Sequence, residues 1–168
     1  MPSGTEIRFS DNEIIVSKTD PKGRITYVND VFMRVAGYCE SELIGKAHNI
    51  IRHPDMPRCA FKLVWDSIST GNEVFAYVIN RTKAADYYWV FAHITPRFDE
   101  SGAVTGYHSS RRCPRRGAIE KIAPVYARLV DIERKAADRK MGLNASTATL
   151  TQILKDAKVN YEQFVFGL

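Results

Sequence analysis

The alternation of apolar and polar positions near the start of the chain predicts a β-hairpin. Residues 13–19 contain the β-branched run Ile14-Ile15-Val16, and residues 24–28 alternate between polar and apolar side chains. Both patterns are typical of strands. Between them stands Asp20-Pro21-Lys22-Gly23, where proline presets φ and glycine accepts a positive φ. The two strands are therefore expected to pair with each other.

Helical spacing replaces alternation between residues 30 and 71. A first helix follows the Asn29-Asp30 cap and ends at Gly37, and a short helical turn covers residues 39–45. Residues 48–57 are predicted to be irregular because two prolines restrict the backbone. A longer helix is expected from residue 58 to Gly71, with apolar positions Phe61, Leu63, Val64, Trp65 and Ile68.

Three further strands are predicted after this helical insert, at residues 74–80, 87–96 and 104–110. Aromatic and β-branched residues fill them, and polar turns separate them. Strands therefore stand at both ends of the insert. This order predicts an α+β fold, with one five-stranded antiparallel sheet, the helical insert on one face, and helices C-terminal to the sheet.

The last 50 residues are predicted to form two helices with a break at Gly142-Leu143-Asn144. The second carries the apolar stripe Leu150, Ile153, Leu154, Ala157, Tyr161, Phe164 and Val165. This stripe can pack on the chain's own sheet and preceding helix, or on a second copy. We favour a homodimer, because two adjacent amphipathic helices offer more apolar surface than one sheet edge covers. The expected division is a mixed α+β domain at 10–115 and a helical extension at 116–168.

Composition places the chain of 168 residues among globular proteins, with 45% hydrophobic and 26% charged residues. No apolar run reaches the roughly 18 residues of a membrane helix, and the start lacks a signal-peptide pattern. The three cysteines form no C-x-x-C motif, so neither a disulfide framework nor a metal site is expected. These features predict a cytoplasmic protein that does not span the membrane.

The net charge of +5 is concentrated around Cys113-Pro114, which the arginines 111, 112, 115 and 116 flank. Nucleic-acid sites usually interleave such charges with aromatic residues for base stacking, and this cluster has none. We therefore interpret it as a solvated or partner-facing surface, and we expect no nucleic-acid binding.

Several motifs together resemble PAS domains. The front half of the pattern comprises Thr19-Asp20, Gly23, Tyr27-Val28-Asn29 and Glu42-Leu43-Ile44-Gly45. The string His48-Asn49-Ile50-Ile51-Arg52-His53-Pro54-Asp55-Met56-Pro57 is more specific and resembles the PAS domain of aerotaxis (Aer-type) energy-taxis receptors. The resemblance implies a PAS fold, non-covalently bound FAD and dimerisation. It also implies that Asn29, Phe61 and Asn80 hold FAD and that the Arg-His-Pro-Asp loop signals.

Elementary chemistry adds reasons for the same candidate residues. Phe61 and Trp65 are four apart and can form one wall of an apolar slot, although both would also suit a plain core. Asn29 and Asn80 offer amide donors and acceptors for a flavin's polar edge, while Asn29 alternatively caps a helix. Arg52 and His53 are candidates for contacting a diphosphate or tuning the charge of the ring. His48 is expected to be a buried, hydrogen-bonded histidine.

Catalysis has little support, because the sequence contains no glycine-rich phosphate loop, nucleophile elbow or HExxH pair. We predict a redox or energy-taxis sensor that binds FAD and signals through its C-terminal helices to a chemoreceptor or other signalling protein. A PAS module holding haem or another small ligand, and a ligand-free dimerisation adaptor, stay open. A flavin reductase is the least favoured alternative. The 48–52 region lacks the cysteine of photochemical LOV domains, so adduct photochemistry is not expected.

Overall fold

The computed structural model describes residues 2–168 and contains one antiparallel sheet in the strand order β2-β1-β5-β4-β3. The strands are β1 (Ile15–Thr19), β2 (Ile25–Val28), β3 (Val74–Arg81), β4 (Tyr87–Phe98) and β5 (Val104–Arg112). The helices are α1 (Asp30–Ala36), α2 (Glu40–Leu43), α3 (Arg58–Ser69), α4 (Arg116–Lys135), α5 (Arg139–Asp156) and α6 (Tyr161–Phe166). No helix within the described residues is long and apolar enough to cross a membrane.

The β1–β2 hairpin forms where turn chemistry predicts it. The Asp20 carboxylate accepts hydrogen bonds from the backbone N–H of Lys22 at 2.9 Å and of Arg24 at 2.8 Å. Gly23 has a φ of +75°, and a Cβ there would lie 2.9 Å from the ring of Trp65 on α3. Glycine thus serves both the turn and the close approach of α3.

The two faces of the sheet are covered by different parts of the chain. Side chains alternate along each strand, so Val78 and Asn80 of β3 face α3 across a cavity. On the opposite face, the Tyr126 hydroxyl of α4 donates to the Tyr77 carbonyl at 2.7 Å, and its ring stacks on Trp89. We call the side toward α3 the inner face and the side toward α4 the outer face. The predicted α+β architecture is confirmed.

The predicted break in the C-terminal helices was wrong. Residues 142–144 lie inside α5, and the chain turns earlier, at residues 136–138, where the Asp138 carboxylate caps α5 by accepting from the Lys140 and Met141 amides. Gly142 lies where α5 passes so close to α4 that a Cβ would be 2.8 Å from the Glu133 carbonyl oxygen, which accounts for the glycine. The stripe from Leu150 to Val165 is also interrupted, because α6 begins after Asn160 with its own capping box.

The C-terminal helices pack on the sheet of their own chain. Leu129 of α4 is fully buried, and Val165 of α6 is 2% exposed. The Phe166 ring lies 4.8 Å from that of Phe75 on the outer face. Packing within the chain therefore buries two of the seven stripe residues, Leu150 and Val165, and partly covers four others. The division at residues 115 and 116 stays a prediction, although α4 does begin at Arg116.

Candidate ligand-binding site

A cavity of about 250 Å³ lies between α3 and the inner face of the sheet. The β1–β2 turn and residues 47–52 complete its wall. Trp65 is 40% exposed, and its ring meets that of Tyr107 edge-on at 5.5 Å. The volume is just below the range of about 300–1,000 Å³ typical of small-molecule sites. Such a space can enclose a planar ring system, with the rest of a larger ligand outside.

Four of the six residues predicted to bind a cofactor line this cavity, namely Arg52, Phe61, Trp65 and Asn80. The Arg52 guanidinium lies 4.2 Å from the centre of the Phe61 ring, a cation–π geometry. The backbones of Arg52 and Asn80 also form an isolated antiparallel bridge. Residues distant in sequence are thus brought together in one wall.

The other two predicted residues, Asn29 and His53, do not line the cavity. The Asn29 side chain accepts from the N–H groups of Val16 and Phe32 and donates to the Ile14 carbonyl at 2.8 Å. It therefore caps α1 and ties it to β1, which is the alternative role that the sequence offered. His53 is 1% exposed, and its Nδ1 accepts from the Asp55 N–H at 3.0 Å.

Arg111 is the site residue that sequence reasoning missed. The interpretation of the basic cluster as a solvated surface was wrong for this residue, which is 5% exposed and lines the cavity. Its guanidinium donates to Ser17 Oγ at 3.1 Å and lies 2.8 Å from His48 Nε2. Strand alternation could have revealed this position, because Tyr107 and Ser109 share its face of β5.

No carboxylate of residues 2–168 pairs with Arg111. Burial lowers the pKa of Arg111 to about 10, so the group stays charged at neutral pH. Burial and the neighbouring Arg111 charge together lower the pKa of His48 to about 3, so that imidazole is neutral and accepts a hydrogen bond. A buried cation with only neutral partners is costly unless a ligand brings electron density.

The depressed pKa of His48 predicts a pH-dependent stability. Because the unfolded chain protonates this histidine near pH 6.5 and the folded chain only near 3, acid favours unfolding. We expect the free energy of unfolding to fall between about pH 6.5 and 3, by an amount on the order of a few kcal/mol. Denaturant titrations at several pH values measure it, and His48→Asn should flatten the curve. An equally steep curve in His48→Asn would contradict the assignment.

Two more polar groups of the cavity wall lack partners. Asn80 Nδ2 and Ser109 Oγ are buried and make no hydrogen bond within the part of the chain that the structure describes. Such groups are rare in folded proteins because each costs about 1–3 kcal/mol. Like Arg111, both groups belong to residues that line the same cavity. These polar groups fit the electron-rich, hydrogen-bonding edge of a heterocyclic ring.

None of the cysteines in residues 2–168 lines the cavity. Cys59 is buried in the first turn of α3, where its N–H bonds to Glu133, and Cys39 is exposed. Cys113 is partly exposed and lies 3.5 Å from an Arg8 nitrogen. No thiol is therefore in position to react with a ligand in the cavity.

Comparison with known proteins agrees with this geometry. A family model described as the PAS fold matches residues 25–111. The aerotaxis receptor of Escherichia coli is 39% identical over 121 residues, which are 72% of this chain and 24% of the receptor. The chain thus spans about a quarter of that relative's length. Phototropin-1A of Oryza sativa is 27% identical over 58% of the chain and 10% of its own length.

Solved structures support the same fold. The dark structure of the blue-light photoreceptor Aureochrome1 LOV superposes with a TM-score of 0.60 at 16% identity, covering 66% of this chain and 82% of that one. A light-oxygen-voltage domain studied with a flavin analogue superposes with a TM-score of 0.58 at 20% identity, covering 66% of this chain and 83% of that one. At these identities the superpositions establish a shared architecture.

Proposed function

Because the chain belongs to the PAS family, we propose that it is a redox-sensing module that holds the ring of FAD in the inner-face cavity. One observation carries the proposal. The cavity holds a buried cation without a carboxylate, Arg111, and two orphaned polar groups, Asn80 and Ser109. The N–H and C=O groups on a flavin's edge would satisfy all three. The resemblance to aerotaxis receptors supports FAD as the particular flavin.

The residues of the chain have distinct roles in this proposal. When bound, a flavin supplies reversible electron transfer. Phe61 and Val64 provide the apolar wall that excludes water, and Asn80 orients the ring edge by hydrogen bonding. The Arg111 guanidinium stays charged and favours negative charge added nearby. His48 remains neutral and holds the guanidinium in position.

A route from the cavity to the C-terminal helices begins in the Arg52–Asp55 loop. Arg52 lies on the cavity wall, and three residues later the Asp55 carboxylate accepts from the Arg134 guanidinium of α4 at 2.6 Å. A change of charge beside Arg52 therefore acts on a segment fixed to α4. We infer that α4 and its successors carry the signal to a chemoreceptor or other signalling partner. We propose that the module acts in the cytoplasm and catalyses no reaction.

Homodimerisation belongs to the same proposal, with a smaller surface than the sequence implied. Since Leu150 and Val165 of the stripe are buried within the chain and four others are half-buried, the exposed apolar surface left for a second copy includes Phe166 and Met141, which are 56% and 57% exposed. We expect light scattering at tens of micromolar to give a dimer, and Phe166→Ser with Met141→Ser to weaken it. The matched control is Phe98→Ser, at an exposed site on β4. A monomeric parent chain would refute the dimer.

Absorbance of the purified protein tests the proposed cofactor directly. We expect a yellow protein with flavin absorbance at about 450 nm, and this absorbance should disappear on reduction with dithionite. Denaturation should release FAD, identified by chromatography against FMN and riboflavin. A Soret band would instead indicate haem. A colourless protein that takes up no added FAD would favour the ligand-free adaptor.

A further inference from the structure

One carboxylate joins three helices at the end of the cavity wall. Glu133, near the end of α4, is 6% exposed. Its Oε2 accepts from the Arg58 N–H at 3.0 Å and from Arg58 Nε at 3.1 Å. Its Oε1 accepts from the Cys59 N–H at 3.0 Å and from Ser146 Oγ of α5 at 2.8 Å. The first turn of α3, the last turns of α4 and the middle of α5 are therefore bonded to the same group.

Glu133 supplies the N-terminal cap that α3 lacks locally. Pro57 precedes the helix and provides no side-chain cap, so the first N–H groups would otherwise be unpaired. A carboxylate at this end also interacts favourably with the helix dipole. Burial raises the pKa of Glu133, but the hydrogen bonds from Arg58, Ser146 and Cys59 outweigh it and hold the pKa below its usual value. The Glu133 carboxylate is thus ionised, and both of its oxygens accept hydrogen bonds.

The contact between α4 and α5 is equally close. A Cβ on Gly142 would lie 2.8 Å from the Glu133 carbonyl oxygen, so only glycine permits this approach. Arg58 spans the junction as well, because its Nη1 donates to the Arg139 carbonyl at 3.0 Å. Ser146 is fully buried. The start of α3 and the first half of α5 are therefore bound tightly through Glu133.

α3 also forms the cavity wall through Phe61, Val64 and Trp65, which lie within two turns of the capped end. We propose that Glu133 is the positioning residue through which a displacement of α3 reaches α5. Its use in signalling rests on the proposed sensory function. The mechanical coupling does not, because every contact lies within the chain itself.

Amide hydrogen exchange on the full chain without ligand tests the coupling. Val64→Ala perturbs the cavity wall in place of a ligand, since Val64 is 5% exposed and its truncation leaves a void. When Val64→Ala is the only substitution, we expect amide hydrogen exchange to become faster in α3. We also expect it to become about threefold faster or more in α5. In a Glu133→Gln background the response of α5 to Val64→Ala should be smaller, although the bond from Arg58 to the Arg139 carbonyl remains. A glutamine has one acceptor oxygen and cannot satisfy both groups of donors.

Two further variants keep the test decisive if Glu133→Gln folds poorly. Ser146→Ala removes the bond between Glu133 and α5 but keeps the bond from Arg58 to the Arg139 carbonyl, so it should reduce transmission to α5 while the Cys59 amide stays protected. Asp131→Asn is the matched control, because this α4 carboxylate is 55% exposed and pairs only with Lys135. It should leave transmission intact. Absence of transmission in the parent chain, or equal transmission with and without the Glu133–Ser146 bond, overturns the proposal. A missing flavin spectrum would refute the proposed function alone.

Discussion

Replacing Arg111 with methionine is expected to lower the midpoint potential of the bound flavin by roughly 90 mV for a one-electron couple. A unit charge at about 8 Å with an effective dielectric constant of about 20 contributes about 2 kcal/mol. Arg111 is buried, and no carboxylate of residues 2–168 pairs with it. Removing this cation makes electron addition less favourable. Spectroelectrochemical titration of the purified protein measures the shift.

The controls for Arg111 separate its charge from its packing. Arg111→Lys keeps a positive charge and should retain most of the parent potential. Arg112→Met removes a neighbouring arginine that is exposed, and solvent screening should leave the potential nearly unchanged. If Arg111→Met and Arg112→Met gave the same potential, the proposed electrostatic role of Arg111 would be wrong.

The same substitution should stabilise the ligand-free chain. Methionine removes a buried charge, while Ser17 and His48 remain hydrogen-bonded to each other at 3.1 Å. Exchange of a buried ion pair for apolar residues of similar volume is often neutral or stabilising by about 1–4 kcal/mol, and a lone buried cation lacks even the attraction of a partner charge. We therefore expect a higher free energy of unfolding for Arg111→Met without flavin, measured by urea titration. A loss of stability would show that Arg111 is chiefly a structural residue.

Replacing Asn80 with alanine should weaken flavin binding by roughly 5- to 150-fold. This factor corresponds to the cost of about 1–3 kcal/mol for a buried polar group left unpaired, here the flavin edge that the amide would serve. Asn80 Nδ2 makes no hydrogen bond in the described structure, so its removal breaks no contact of that nitrogen within the chain. Titration of ligand-free protein with FAD, followed by fluorescence, measures the affinity.

The matched control for Asn80 is Asn144→Ala, an exposed asparagine on α5. It should bind FAD as the parent chain does. We also expect the ligand-free Asn80→Ala chain to unfold within about 1 kcal/mol of the parent, because the substitution removes no satisfied bond of the amide nitrogen. If Asn80→Ala bound FAD with the affinity of the parent chain, the Asn80 amide would make no contact with the ligand and would be only a residue near the end of β3.

The sequence by itself determined the strands and the β1–β2 hairpin, because their signals are local. Alternation with period two fixes which residues share a face of a strand, and Asp20 and Gly23 fix the hairpin turn within four residues. The aromatic wall of the cavity followed from helical spacing in the same way, since Phe61 and Trp65 lie four residues apart on α3. Interactions between neighbours in sequence decide these features.

Only the tertiary structure decided which polar residues reach the cavity. Alternation puts Arg111 on one face of β5, but its burial depends on Ser17 and His48, which are 94 and 63 residues away. From the sequence, the Asn29 amide could either cap a helix or bind a ligand. In the structure it bonds to the backbone of Ile14 and Val16 instead of facing the cavity. The sequence shows which groups each side chain can donate or accept with, but it does not show which distant residues become its hydrogen-bond partners.

The C-terminal helices show the same limit. Gly142 is a helix breaker by its intrinsic propensity, yet it lies inside α5, where the nearby Glu133 carbonyl leaves no room for a Cβ and so requires glycine. The apolar stripe of these helices could pack on the chain's own sheet or on a second copy. Sequence periodicity predicts that one helix face is buried, but it does not indicate which surface covers that face. Contacts such as that of Phe75 with Phe166, 91 residues apart in numbering, bring the end of the chain onto its own sheet. Local propensity gives way wherever the packing of distant segments contributes more free energy.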